Sequence, residues 1–97
     1  FKVPTTITFD NEGSDIYTIV EVDTRDRIGL IHDLANTLYK NNISIFTAII
    51  ATYGEQAVDT FYVKDLFGLK IHSKSKQDRI LIQLRNSIEE GAEKAME

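Results

Sequence analysis

The 97-residue sequence has no cysteine, one proline and only two histidines. Without cysteine there are no disulfides and no thiolate metal sites, which fits a reducing, cytoplasmic setting. Basic residues are also in short supply. Eleven Lys and Arg stand against fifteen Asp and Glu, for a net charge of −4. That balance argues against general nucleic-acid binding, which needs basic surface to displace phosphate counterions. No apolar run approaches the length of a membrane span, and no secretory segment is present. What is there is ordinary for a soluble globular domain, 42% hydrophobic and 27% charged, with enough chain for one modest core. Residues 1–97 are therefore expected to form a single domain. The first residue is Phe1, which suggests a piece of a longer protein.

Hydrophobic periodicity divides the chain into six elements. Val3, Ile7 and Phe9 alternate roughly with threonines and predict a short strand, followed by the turn formers Asp10 to Asp15. A second strand, Ile16 to Asp23, places Thr18, Val20 and Val22 on one face and Tyr17, Ile19 and Glu21 on the other. Two partly apolar faces exceed what a sheet with one wet side requires. Leu30, Ile31, Leu34, Ala35 and Leu38 then recur at helical spacing, with His32, Asp33, Asn36, Thr37 and Lys40 on the polar side and Asn41–Asn42 as the stop. Ile43 to Thr52 reads as a strand whose alternation falters at Phe46–Ala48, which suggests a bulge. Tyr53–Gly54–Glu55 turns it back into a strand from Gln56 to Lys64, and Asp65 to Ile71 is a loop. Ser75, with Asp78 three residues on, is placed to cap a last helix whose buried stripe is Ile80, Leu81, Leu84 and Ile88, with fraying from Glu93 to Glu97.

The order ββαββα predicts an α/β (α+β) fold, a four-stranded antiparallel sheet with two helices on one face. The crossover from the second strand through the first helix to the third strand is expected to be parallel in direction and right-handed. Ferredoxin-like folds usually run βαββαβ. Nothing strand-like follows the last helix here, so the N-terminal strand is expected to replace the usual last strand.

The stretch Asp26–Arg27–Ile28–Gly29–Leu30 lies where the second strand gives way to the first helix. Glycine at such a junction permits a sharp turn and close approach to the main chain. The free N–H groups and positive dipole end of the helix then offer a place for a carboxylate or phosphate. The plain alternative is a strand-to-helix turn, with Asp26 as an N-cap and Arg27 as a solvated charge.

The segment Asp26 to Ile31 resembles the D-R-x-G-L-L signature of ACT domains, small regulatory modules that commonly bind amino acids. Phe9–Asp10–Asn11 with Ser14, the run Ala48 to Glu55, and above all Val58 to Ile71 resemble the C-terminal ACT domains of bacterial uridylyltransferase/uridylyl-removing enzymes. Ile28 stands where many members have proline. The resemblance implies a ferredoxin-like ACT sandwich that binds an amino acid, glutamine in that family, through Asp26, Arg27, Ile28, Gly29 and Leu30. Asp26 would take the ammonium group or cap the helix, and Arg27 would face the ligand or a partner domain. It also implies a full-length enzyme that uses Mg and UTP to modify a PII signal protein, with no cofactor in this domain. ACT domains pair side by side or face to face, so the partner is another ACT domain or a second copy.

Other chemistry is less well supported. His32–Asp33 has the look of a metal-dependent phosphohydrolase pair, but His72 is the only other histidine, and adjacent helix positions point about 100° apart. No phosphate-cradling glycine loop or Ser/His/Asp set is present, and the chain reads as non-catalytic. Two further readings stay open. One is an RNA-binding sheet using Tyr17, Phe61 and Tyr62, and the other is a docking module with no ligand of its own.

Overall fold

A computed structural model describes residues 3–96, so Phe1, Lys2 and the predicted end at Glu97 lie outside the described residues. The elements follow the order β1 (Thr6–Asp10), β2 (Thr18–Arg25), α1 (Leu30–Lys40), β3 (Ser44–Tyr53), β4 (Gln56–Lys64) and α2 (Lys74–Ala95). The sheet order is β1-β2-β4-β3, and every neighbouring pair is antiparallel. β2 and β3 run in the same direction with β4 between them, the split arrangement of a ferredoxin-like fold. β1 occupies the edge beside β2, the place of the strand that this topology usually adds last.

One face of the sheet carries the core. Val20 and Val22 of β2, Phe61 and Val63 of β4 and Ile7 of β1 pack with Leu30, Leu34 and Leu38 of α1 and with Ile80, Leu84 and Ile88 of α2. Thr18 and Thr24, at the ends of the same β2 face, are also buried. The expected alternation in β2 therefore holds, but the strand begins at Thr18, two residues after the expected start at Ile16, and extends two residues beyond Asp23. β3 shifts register between Ile45 and Thr47. This bulge is the physical reason its alternation falters, because the extra residue carries Phe46 out of the pattern.

Side chains staple the end of the sheet opposite the Asp26–Leu30 loop. The Thr18 hydroxyl donates to Asn11 Oδ1 and accepts from the Ile71 N–H, while Asn11 Nδ2 donates to the Ile71 carbonyl. Lys70 Nζ donates to the Asn11 carbonyl. The Asn11 turn and the Lys70–Ile71 segment, far apart in sequence, form one unit.

Four expectations need correction. Ser73, not Ser75, caps α2, accepting from the Lys76 N–H, and the helix begins at Lys74. Glu93 remains helical, since α2 continues to Ala95. Ile31, expected in the buried stripe, is 40% exposed. Thr37, expected on the polar side, is buried because its hydroxyl donates to the Asp33 carbonyl within the helix and needs no water.

Candidate functional site

β2 ends at Arg25, and the Asp26 N–H donates to the Glu55 carbonyl at 2.8 Å. That bond ties the loop to the β3–β4 hairpin. Gly29 has φ of 83°, a left-handed conformation open to glycine at little cost, and it is the N-cap of α1. It has no side chain with which to cap, and no other side chain does so. Asp26 is therefore not the N-cap. The Leu30 N–H reaches the Arg27 carbonyl and the Asp33 N–H reaches the Gly29 carbonyl, which leaves the Ile31 and His32 N–H groups without partners among the described residues. The helix start is thus an open set of donors with a partial positive charge. Ile28, 97% exposed, projects from the loop.

Arg27 is neither a solvated charge nor an outward-facing group. Its guanidinium folds back onto Asp33 at 2.7 Å, with Nη2 also near the Ser87 carbonyl of α2 and Nη1 donating to the Ile28 carbonyl. A Cβ on Gly91 would overlap this guanidinium, so the bare glycine of α2 makes its berth. The loop, α1 and α2 meet in this ion pair. It also engages Asp33 of the His32–Asp33 pair.

Two clefts of about 360 and 340 Å³ lie elsewhere, the first between α1 and α2 beside Asp33 and Gly91, the second beside Tyr39 and Leu66. Neither is lined by Asp26, Ile28, Gly29 or Leu30.

Asp59 is the residue that the sequence reading passed over. It lies on β4 in the inward series Ala57, Asp59, Phe61, Val63, is 1% exposed, and its Oδ1 has no hydrogen-bond partner among the described residues. A charge at an inward position of an otherwise apolar alternation was the signal that could have found it. Burial foremost, then the Asp26 and Asp23 carboxylates, push its carboxyl above the ordinary range. Glu21, on the opposite face, is raised by desolvation and by neighbouring Asp23. Both groups hold protons to higher pH when folded than when unfolded. Their contribution is present below the ordinary carboxylate range and is lost as pH rises through the raised folded values. Urea titrations at a series of pH values from about 4 to 7 are expected to show this component of stability declining with pH, and Asp59→Asn should flatten the decline.

The sheet face away from the helices is not covered by β1. Phe46 stacks on Tyr17 with centroids 4.8 Å apart, and Tyr62 meets Tyr17 edge-on at 6.3 Å. By register Ile49 and Tyr53 of the edge strand β3 share this face, and both are exposed. Phe61 points the other way into the core, so it offers no surface for base stacking.

The profile of the ACR9-like, ACT-like domain family matches residues 6–93. The chain is 66% identical over 95 residues to a bifunctional uridylyltransferase/uridylyl-removing enzyme of Ruegeria pomeroyi, a match covering 98% of this chain and 10% of that protein. It is 64% identical to the enzyme of the same name from Cereibacter sphaeroides, with the same coverage, and 43% identical over 91% of its length to the one from Azospirillum brasilense, of which 9% is covered. The chain thus spans about a tenth of the length of these relatives. No solved structure matches it. With the ββαββα order, the sheet topology and a family match over nearly its whole length, the chain belongs to the ACT-like domain family.

Proposed function

We propose that this chain is an amino-acid-sensing regulatory domain, with L-glutamine as its ligand, in a cytoplasmic enzyme that attaches uridylyl groups to a PII signal protein and removes them. The observation that carries the ligand reading is the uncapped start of α1 behind Gly29, whose unpartnered N–H groups suit a carboxylate. Asp26, Ile28 and Gly29 form the rim, Leu30 anchors the helix start by turning its side chain into the core, and Arg27 acts from behind by holding the loop to both helices. The enzyme chemistry, with Mg and UTP, belongs to other parts of the longer protein.

The site is completed by a neighbour, either an adjacent ACT domain or a second copy. The exposed edge strand β3 and the aromatic face beside it provide a surface for that neighbour. Sensing then means that glutamine favours one arrangement of domains, with a coupling of about 1–3 kcal/mol.

Isothermal titration with L-glutamine, against L-glutamate and glycine, tests this reading. Selective binding is expected, weakened by about tenfold or more in Gly29→Val. Valine is β-branched and poorly suited to the left-handed backbone that opens the helix start. No glutamine binding here or in a longer chain carrying the preceding domain would leave the docking reading in its place.

A further inference from the structure

We infer that Asp59 receives the α-ammonium group of the bound amino acid, while the free N–H groups at the start of α1 take its carboxylate. This assignment rests on the amino-acid reading above and goes beyond the loop residues to a position on β4.

A buried carboxylate is ordinarily matched by a cation or by several hydrogen-bond donors. Among the described residues Asp59 has neither on Oδ1. The ion pairs among the described residues join Arg25 to Glu55, Arg27 to Asp33 and Lys74 to Asp78, none involving Asp59. Arg27, the cation of the neighbouring loop, is held by Asp33 and the Ser87 carbonyl. The charges acting on Asp59 are instead those of Asp26 and Asp23, both negative. The field at this point is therefore acidic and suited to a positive group.

The placement is equally specific. In the sheet, Asp59 stands opposite Val22 of β2 and Ile50 of β3. Val22 is fully buried, whereas Ile50 is 51% exposed on the edge strand. Asp59, itself 1% exposed, thus sits between a fully buried position of β2 and an exposed position of the edge strand β3. It is on the N-terminal half of β4, the end of the sheet where β2 runs into the Asp26–Leu30 loop and α1 begins. An acidic side chain and an uncapped helix start at the same end match the two charges of a free amino acid. An ammonium group supplies three donors and the missing positive charge.

The test compares L-glutamine with 4-carbamoylbutanoate, which keeps the carboxylate and the amide and lacks the amine, on wild-type protein and Asp59→Asn. Wild type is expected to bind glutamine at least about tenfold more tightly than the analogue. Asp59→Asn should bring glutamine down to the level of the analogue and leave the analogue nearly unchanged. The ligand-free variant should melt at the same temperature as wild type or higher, because asparagine removes a buried charge without altering shape. If the variant keeps the wild-type preference for glutamine, the assignment to Asp59 fails and the amino-acid reading survives. If it melts lower and loses both compounds equally, Asp59 is a structural residue. If wild type binds neither compound, here or in the longer chain carrying the preceding domain, the amino-acid reading fails and this assignment falls with it.

Discussion

Arg27→Ala is expected to lower stability by about 2–3 kcal/mol, below the ~3–5 kcal/mol typical when one partner of a fully buried pair is removed. The discount follows from Asp33, whose side chain is 32% exposed and can recover water once its partner is gone, whereas that of Arg27 is 12% exposed. Gly91→Ala should reproduce part of this effect without touching either charge. Its new Cβ would overlap the guanidinium and lie 2.6 Å from Asp33 Oδ2, so both ends of the pair must shift and its geometry is expected to suffer. Against that loss stands the gain of about 1 kcal/mol from replacing glycine by alanine inside a helix. The net cost is expected to be about 1–2 kcal/mol, a fall in melting temperature of roughly 5–15 °C for a domain of this size. The discriminating measurement is the same Gly91→Ala change in an Arg27→Ala, Asp33→Ala background. With no pair to displace, alanine should stabilise. A sign that does not reverse would mean that Gly91 serves the helix and not the ion pair. Both single variants should also weaken glutamine binding, because Arg27 holds the loop behind Gly29.

This pair marks the boundary of what could be read from the chain. Hydrophobic spacing locates α1 and its stop at Asn41–Asn42, because that information is local: Asn42 takes the left-handed conformation that ends the helix, with φ of 60°. The β4 limits are read equally well, since an unbroken period of two runs from Gln56 to Lys64. The glycine turn at Gly29 was legible too. The partner of Arg27 was not, because its berth is assembled from Asp33, six residues on, and from Ser87 and Gly91, sixty and more residues away. A charged residue in a loop looks solvated until the second helix is laid over it. Ser73 and Ser75 offer the same capping chemistry two positions apart, and local sequence alone does not decide between them. Asp59 was visible as a charge in an inward register, but that register becomes a burial statement only once the sheet has chosen its covered face.

Phe61→Ala and Tyr62→Ala test that choice directly, and their effects should differ sharply although the residues are adjacent. Phe61 is 1% exposed in the middle of β4, against Val20 of β2 in register and among the core residues of both helices. Its truncation is expected to cost about 3–5 kcal/mol, much of it from the cavity left where the one aromatic ring of the buried core cluster had been. Domains of this kind hold only about 5–15 kcal/mol in total, so the variant should be marginally folded or unfolded in urea titration. Tyr62 lies on the other face, where its ring meets Tyr17 edge-on. An aromatic pair of that geometry contributes about 0.5–1.5 kcal/mol beyond area burial, and its loss should leave a folded chain. Sedimentation of Tyr62→Ala then addresses association separately. If the aromatic face receives a second copy, the variant should be folded and less associated than wild type. Equal destabilisation by the two substitutions would mean that both sheet faces are covered in the free chain, leaving no aromatic face available to a partner.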